Sequence, residues 1–257
     1  MWNPNEYLKF VGERSRPFFD LLAQVDRTEP RFIVDLGCGP GTLTATLVDR
    51  WPNAHVLGID NSAEMLEQAQ ARAISGRLQF ERGDIAAWSP PRPVDLLVSN
   101  AAFQWVDDHE RLFKRLAEML AADGTLAVQI PSQFDGPCYA AIARTAGDPR
   151  WAQRLAGVGL HRDSVMPPWW YVDRLHDLGL NVNAWETTYI HVLTGDTPIL
   201  DWMRGTALRP LLARLDSAEI PEFERQLAER FRGAYPPRQG VTLFPFPRLF
   251  LVAERKR

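Results

Sequence analysis

A short glycine-rich run carries the clearest chemical signal in this chain: residues 34–42 read VDLGCGPGT. Glycines at this spacing allow a backbone to turn sharply and to approach a bound ligand closely. Thr42 occupies the position that a nicotinamide-binding motif gives to its third glycine. The acidic Asp35 would repel a pyrophosphate but suits a cationic or amino-acid ligand. The run therefore favours S-adenosylmethionine over NAD as the cofactor.

Two further acidic residues lie at or just after the ends of apolar stretches, as Asp35 does. Asp60 ends the apolar stretch 55–60, where a carboxylate can accept hydrogen bonds from both hydroxyls of a ribose. Asp84 follows the stretch 77–81, where it can accept a hydrogen bond from the amino group of an adenine. The alternative that both acids only cap helices stays open. The order of glycine loop, first acid and second acid is more specific than any one of them.

These residues must be positioned by the elements around them, and the first half of the chain alternates short apolar stretches with amphipathic ones. Strands are predicted at 32–36, 55–60, 77–81, 94–99 and 125–130, and helices at 42–51, 62–72 and 110–120. Ser62 is a good N-cap for the second helix. Such an alternation predicts an α/β fold with a parallel, doubly wound sheet.

The chain after residue 130 is less regular and rich in Pro, Trp and Arg. Its patterns predict helices around 139–156, 168–179 and 197–232 and strands at 182–192 and 243–253. We expect a single Rossmann-like domain over 1–257, with a mostly parallel sheet of seven strands and a helical cap inserted towards the C-terminus. Its parts would be an N-terminal lid segment, a cofactor-binding core, a substrate and cap region with one core strand, and a final core strand, at 1–30, 31–132, 133–242 and 243–257.

The composition narrows the possible partners. The 257 residues carry a net charge of −3, so no basic surplus indicates nucleic acid or an acidic membrane as partner. The first residues do not read as a signal peptide and no stretch is apolar enough to span a membrane, so we expect a cytoplasmic protein. Two cysteines and five scattered histidines predict neither a disulfide framework nor a metal site. A monomer is favoured, and the oligomeric state stays open.

The region 31–130 resembles the class I S-adenosylmethionine-dependent methyltransferase family in the motifs described above. In that family the glycine loop holds the methionine part of the cofactor, the first acid reaches its amino group, and the acid after the second strand holds the ribose. The loop after the fourth strand lies beside the transferred methyl group. The resemblance implies cofactor contacts from Asp35, Gly37, Gly39, Gly41, Asp60, Met65, Asp84, Ile85, Asn100, Ala101 and Trp105.

The loop after the fourth strand also bears on the substrate. Residues 99–105 read SNAAFQW, unlike the Asn-Pro-Pro-Tyr loop of enzymes that methylate amino groups, and the chain lacks the metal-binding acids of catechol-type enzymes. This favours a small oxygen or carbon atom as the methyl acceptor.

Outside the cofactor motifs, several runs over nearly the full length resemble the trans-aconitate methyltransferase family. They lie at 2–8, 13–17, 127–131, 185–191, 208–210 and 246–250.

That second resemblance implies esterification of one carboxylate of trans-aconitate, with release of S-adenosylhomocysteine. A carboxylic acid with a pKa of about 4 is already ionised at neutral pH, so neither a general base nor another catalytic residue is required. A small polycarboxylate needs fixed cations, and the planar fork of arginine suits them. Arg209 stands between Leu208 and Pro210, an apolar setting where a charge needs a partner. The predicted substrate-binding residues are Tyr7, Arg14, Arg16, Trp105, Tyr171, Tyr189, His191, Arg209 and Arg248.

Other functions stay open at this point. A carboxyl methyltransferase acting on malonyl-acyl carrier protein or another small acid would share the same core. A carbon methyltransferase of quinone-like precursors is disfavoured, since arginines do not help to bind an apolar substrate. A module that binds the cofactor without turnover would carry the same motif, whereas Asp35 and Thr42 disfavour a nicotinamide oxidoreductase.

Overall fold

The computed structural model describes residues 11–158 and 164–255, apart from the side chains of residues 11, 13 and 14. The strands are β1 Phe32–Leu36, β2 His55–Asp60, β3 Leu78–Arg82, β4 Val94–Asn100, β5 Leu120–Pro131, β6 Leu180–Leu193 and β7 Thr242–Arg255. The helices are α1 Val11–Leu22, α2 Thr42–Arg50, α3 Ala63–Gln70, α4 His109–Met119, α5 Pro137–Ala146, α6 Ala152–Leu155, α7 Pro168–Asp177, α8 Pro198–Arg204, α9 Arg209–Leu212 and α10 Glu219–Ala234, and a 3₁₀ turn covers Phe103–Trp105. None of the helices described is long and apolar enough to cross a membrane.

The strands form one seven-stranded sheet in the order β3-β2-β1-β4-β5-β7-β6. The pairs β1–β2, β1–β4, β2–β3 and β4–β5 are parallel. The strand order reverses at β1, because the chain passes from β1 outwards to β2 and β3 and then returns to β4 on the other side. The predicted Rossmann-like, mostly parallel sheet is confirmed. Ligands of such sheets bind outside the carboxyl ends of the strands at this reversal.

The strand registers bring three polar residues to the same edge of the sheet. Asp35 on β1 pairs with Gly58 on β2 and with Val98 on β4. Asp60 and Asn100 lie two residues beyond these partners and end their strands. The carboxyl ends of β1, β2 and β4 therefore present their polar residues side by side.

The sheet is buried because its central strands are apolar on both faces. Every residue of β1 is buried, and so is most of β4 and β5. Helix α4 adds Leu112, Phe113 and Leu116, each at most 2% exposed, to the same core. Burial of one such side chain contributes about 1.5–3 kcal/mol to stability. The packing of α4 on the sheet therefore stabilises the central strands, whose carboxyl ends carry these polar residues.

Local capping signals act as the sequence predicts, but two predicted helices are interrupted. The Ser62 side chain accepts a hydrogen bond from the N–H of Met65 at 3.3 Å, which confirms this N-cap. The stretch 139–156 is divided into α5 and α6, with Gly147 ending α5. The stretch 197–232 is divided into α8, α9 and α10. Glycine and proline within these stretches disfavour a continuous helix.

The chain divides into two compact units. Among the described residues, the core unit comprises 15–131, 164–187 and 249–255, and the second unit comprises 11–14, 132–158 and 188–248. Strands β6 and β7 contribute residues to both. Within the second unit α5 packs against α10. The predicted division into lid, core and cap stays a prediction.

Candidate active site

The glycine-rich loop begins where β1 ends and bends towards β2. The N–H groups of Gly37 and Cys38 both donate to the carbonyl of Ile59, at 2.8 and 3.0 Å. Gly37 has a φ of 82°, and a Cβ at this position would overlap the Cβ of Ala102, so no side chain fits. Gly39 has a φ of 55°, but a Cβ there would meet open space. The loop therefore leaves room for a ligand beside Gly39.

Asp60 ties this loop to the start of α3. Its Oδ2 accepts a hydrogen bond from the N–H of Gly39 and its Oδ1 accepts one from the N–H of Ser62, both at 2.9 Å. A capping role alone accounts for the bond with Ser62 but not for the bond with Gly39. Each carboxylate oxygen has a second lone pair, so the geometry accommodates the predicted bonds to ribose hydroxyls.

Asp35 is almost completely buried at the end of β1, with 3% of its surface exposed. Its Oδ2 accepts a hydrogen bond from Oγ1 of Thr44 at 2.6 Å. Burial raises the pKa of Asp35 to about 7, against the opposing bond from Thr44 and with the negative charge of Asp60 adding to the rise. A nearby cation would favour the ionised form. The buried carboxyl is therefore suited to a cationic ligand.

The predicted adenine contacts lie on the segment after β3. Asp84 is exposed, and its Oδ1 accepts a hydrogen bond from the N–H of Ala86 at 2.9 Å. Ile85 is half-buried and lies beside the glycine loop, since its Cδ1 is 3.5 Å from the position that a Cβ of Gly37 would take. Met65 on α3 is also half-buried. All eleven predicted cofactor contacts lie in the core unit.

The loop after β4 contains two buried amide oxygens. Oδ1 of Asn100 and Oε1 of Gln104 are buried, and neither has a hydrogen-bond partner within the described part of the chain. Ala101 between them has a φ of 54°, donates its N–H to the carbonyl of Gln129 at 2.9 Å and accepts from Nε2 of Gln104 at 2.6 Å. Trp105 at the end of the loop is 46% exposed. Because an unsatisfied buried acceptor is costly, the two oxygens fit a ligand with donor groups and positive charge, as in S-adenosylmethionine.

Comparison with known proteins relates this site to a family. Residues 33–124 match the model of a methyltransferase domain. The trans-aconitate 2-methyltransferase of Streptomyces avermitilis is 44% identical over 99% of this chain and 97% of its own length. That of Mycolicibacterium gilvum is 45% identical over 100% of both chains. The chain belongs to the trans-aconitate 2-methyltransferase family.

Solved structures agree on the fold of this family member. The YcgJ protein from Bacillus subtilis has a TM-score of 0.63 at 13% identity and covers 93% of this chain and 97% of that chain. An S-adenosylmethionine-dependent methyltransferase from Mesorhizobium loti has a TM-score of 0.52 at 23% identity, with coverages of 94% and 98%. Both likenesses concern the fold alone.

Three predicted substrate-binding residues of this family member, Arg16, Trp105 and Tyr171, lie in the core unit, and the side chains of Arg16 and Tyr171 contact other residues there. Arg16 is exposed and lies 3.6 Å from the carboxylate of Asp20. Tyr171 is 0% exposed, and its hydroxyl group contacts Nδ1 of His109 at 2.6 Å and the N–H of Met166 at 3.0 Å. The structure thus places Tyr171 in the core, and its predicted contact with the substrate receives no support from this geometry.

Three of the predicted substrate-binding residues are buried in the second unit. Arg248, His191 and Tyr189 are 3%, 4% and 5% exposed. The His191 ring stacks on Trp202 at a centroid distance of 4.4 Å, and the Arg248 guanidinium lies 4.7 Å from the centre of the Phe246 ring. A guanidinium in such a site is less screened by water, which strengthens its attraction to a carboxylate. Arg248 is the strongest candidate among them for binding a carboxylate.

The predicted substrate-binding arginine Arg209 is not buried as Arg248 is. Arg209 is exposed at the start of α9 although its neighbour Leu208 is 0% exposed, so the apolar setting expected for this arginine is wrong. Its charge can be solvated. Tyr7 and the side chain of Arg14 lie outside the described residues, and their predicted contacts stay predictions.

Sequence reasoning missed three side chains that support this site: Thr44, which bonds Asp35, and the pair Gln104 and His109 beside the acceptor loop. Nε2 of His109 lies 2.9 Å from the carbonyl of Phe103 in the 3₁₀ turn. The only local signal was the polar type of these residues: Thr44 lies within the predicted helix 42–51, whereas Gln104 and His109 lie outside the predicted helices. A lone polar residue gives no indication of its partner.

Proposed function

We propose that this chain transfers a methyl group from S-adenosylmethionine to one carboxylate of trans-aconitate, giving the monomethyl ester and S-adenosylhomocysteine. Similarity over the full length carries the proposal, because relatives named trans-aconitate 2-methyltransferase are 44–46% identical over at least 98% of this chain. The buried Asp35 and the buried amide oxygens of the loop after β4 support the choice of cofactor.

The proposed reaction requires little chemistry from the side chains of the protein. S-adenosylmethionine supplies a methyl group bonded to a sulfonium, and a carboxylate with a pKa of about 4 needs no deprotonation. The residues therefore act by holding both reactants in line and by excluding water. Favourable positioning can lower a barrier by roughly 7–11 kcal/mol. No side chain has to serve as a general base.

For the cofactor, the proposed roles follow the carboxyl edge of the sheet. Asp35 interacts with the amino group, the loop around Gly39 makes room for the methionine part, and Asp60 accepts from the ribose hydroxyls. Asp84 and Ile85 contact the adenine, with Met65 nearby. Asn100 holds the methionine part with its free Oδ1, and Ala101 and Trp105 line the methyl-transfer side.

For the substrate, the proposal relies on Arg248 first. Its guanidinium is buried and can bind a carboxylate through two parallel hydrogen bonds. Tyr189 and His191 would donate further bonds. Arg14, Arg16 and Arg209 would supply additional positive charge for the remaining carboxylates.

We further propose a cytoplasmic, monomeric enzyme that binds neither nucleic acid nor membrane. The net charge of −3 offers no general attraction to polyanions. The cysteines Cys38 and Cys138 are both buried and free, which is compatible with a reducing compartment.

The test is transfer of label from S-adenosylmethionine to a panel of acceptors: trans-aconitate, cis-aconitate, citrate, a malonyl thioester and a buffer blank. We expect strong, base-labile label on trans-aconitate, because an ester hydrolyses in base. Label on the thioester would favour the carrier-protein alternative. If the chain binds the cofactor but transfers no label to any of the acids, the proposed methyl transfer is refuted.

A further inference from the structure

Arg115 on α4 links this helix to the segment that follows β3. Its Nη1 donates to the carbonyls of Ile85, at 3.4 Å, and of Ala86, and its Nη2 donates to the carbonyl of Trp88 at 2.7 Å. A guanidinium carries its donors in a rigid planar fork, so it holds several acceptors in one fixed arrangement. One side chain therefore sets the path of residues 85–88.

The segment has only a short turn of its own. The carbonyl of Asp84 accepts from the N–H groups of Ala87 and Trp88 at 2.9 and 2.7 Å, and its side chain accepts from the N–H of Ala86. These bonds satisfy N–H groups of residues 86–88, whereas Arg115 satisfies the carbonyls of Ile85, Ala86 and Trp88 in the same turn. A cation there also interacts favourably with the partial negative charge of those carbonyls.

The same segment packs against the glycine loop and the end of β2. Ile85 lies beside Gly37, and the Trp88 ring lies so close to Gly83 that an added Cβ would come within 2.7 Å of it. The N–H of Gly83 donates to the carbonyl of Asp60 at 3.0 Å. A shift of residues 85–88 would therefore displace the surroundings of the cofactor loop.

We propose that Arg115 is a positioning residue for the cofactor, which holds Asp84 and Ile85 where they contact the adenine and so sets the affinity for the adenosine part. Arg115 acts through the backbone of this segment and does not touch the ligand. The inference rests on the proposed function, because the assignment of Asp84 and Ile85 to the adenine comes from the methyltransferase motif. Arg115 lies 30 residues beyond Ile85 and outside that motif.

The test compares Arg115→Ala and Arg115→Lys with a matched control, Arg255→Ala. Nη2 of Arg255 donates at 2.7 Å to the carbonyl of Ala117, which is on the same helix but outside residues 84–88. Isothermal titration calorimetry with S-adenosylhomocysteine gives the Kd. Amide hydrogen exchange of residues 84–88 in the ligand-free proteins reports on the segment itself, and steady-state kinetics give KM for each reactant.

We expect Arg115→Ala to raise the Kd about tenfold, which corresponds to about 1.4 kcal/mol, and to speed exchange at residues 84–88. The KM for S-adenosylmethionine should rise, while the KM for trans-aconitate and kcat at saturating cofactor stay unchanged. Millimolar guanidinium chloride, but not sodium chloride, should restore part of the affinity. Arg115→Lys should give an intermediate Kd because its ammonium lacks the planar fork, and Arg255→Ala should keep the original Kd.

An unchanged Kd for Arg115→Ala, or an equal rise for Arg255→Ala, overturns the proposal. If Arg115→Ala does not fold, Arg115→Lys decides the question, and an unchanged Kd together with unchanged exchange then overturns it. Failure of the unsubstituted chain to bind S-adenosylhomocysteine would instead refute the proposed function.

Discussion

His109 and Tyr171 face each other in the core, with Nδ1 of the imidazole 2.6 Å from the phenol oxygen. Nε2 lies 2.9 Å from the carbonyl of Phe103, so we assign the proton of the neutral ring to Nε2, which donates to this carbonyl. Nδ1 then accepts from the Tyr171 hydroxyl, whose oxygen accepts from the N–H of Met166. This chain of bonds connects the turn that ends at Trp105 with the start of α7, and it accommodates only one imidazole proton.

The stability of the protein should depend on pH through His109. Burial lowers the pKa of His109, against the opposing effect of its bond to the Phe103 carbonyl. The unfolded chain, with a histidine pKa of about 6.5, therefore binds more protons than the folded chain between these two pKa values. The contribution of His109 to stability is complete above about pH 6.5 and is lost as the pH falls towards the folded pKa.

Urea unfolding of the wild type and of His109→Gln measures this contribution. The free energy of unfolding should rise more steeply between about pH 5 and 7 in the wild type, because glutamine does not titrate. Tyr171→Phe serves as a control that keeps the titrating ring but should lose about 1–2 kcal/mol at neutral pH through the missing hydroxyl. Equal pH dependence of the free energy of unfolding in the wild type and His109→Gln would contradict the lowered pKa of His109.

Asp35→Asn should separate cofactor binding from stability. Because burial raises the pKa of this carboxyl to about 7, the folded chain holds a proton that the unfolded chain has released, and stability falls as the pH rises through this range. The variant should therefore be more stable than the wild type at about pH 8 without ligand. It should bind S-adenosylhomocysteine about tenfold more weakly, since it lacks the charge opposite the amino group.

Thermal unfolding of the ligand-free proteins at about pH 6 and pH 8 checks the first part of the Asp35 prediction, and calorimetric titration checks the second. Thr44→Val is the matched control, because it keeps the carboxyl but removes the hydrogen bond that stabilises its ionised form. That variant should be less stable than the wild type at the higher pH. Normal binding by Asp35→Asn would show that the carboxylate does not contact the cofactor.

Gly37→Ala and Gly39→Ala should fail in different ways. Both glycines have a positive φ, which costs another residue about 1–2 kcal/mol. A Cβ at Gly37 would also overlap Ala102, whereas one at Gly39 would meet open space. We therefore expect a large loss of stability for Gly37→Ala, and for Gly39→Ala a small one with a markedly weaker cofactor affinity. Melting temperature and calorimetric Kd measure the two effects, and identical behaviour would be inconsistent with a ligand beside Gly39.

Arg248→Lys should raise the KM for trans-aconitate and leave the Kd for S-adenosylhomocysteine unchanged. A lysine keeps the charge but cannot bind a carboxylate through two parallel bonds, so a loss of about tenfold in kcat/KM is expected. Arg209→Ala should also raise this KM, because it removes positive charge that attracts the remaining carboxylates. The exposed Arg214 provides the matched control, Arg214→Lys. A weaker cofactor affinity in Arg248→Lys would mean that the arginine supports the fold or the cofactor site instead.

Local sequence patterns were sufficient for the sheet and for the cofactor loop. Short apolar stretches bounded by turn residues, such as 32–36, predict buried strands, and six of the seven strands begin and end within two residues of their predicted bounds. The exception is β5, which begins at Leu120, five residues before its predicted start. The glycine spacing at 37–41 requires a tight turn whatever the rest of the chain does. The acid Asp60 reaches the loop because parallel strands end at one edge of a sheet.

Contacts between distant parts of the chain were decided by the tertiary structure alone. The bonds of Arg115 to residues 85–88 and of His109 to Tyr171 depend on how helices pack on the sheet, which no local periodicity encodes. Arg209 and Arg248 each stand between a leucine and a proline, yet the first is exposed and the second is 3% exposed. The first begins a short helix with its side chain in solvent, whereas the second lies on an inward-facing position of β7. The same neighbouring residue types therefore accompany an exposed arginine in one case and a buried arginine in the other. Burial depends on whether the helix or strand turns that side chain towards the core, and the flanking residues do not determine this.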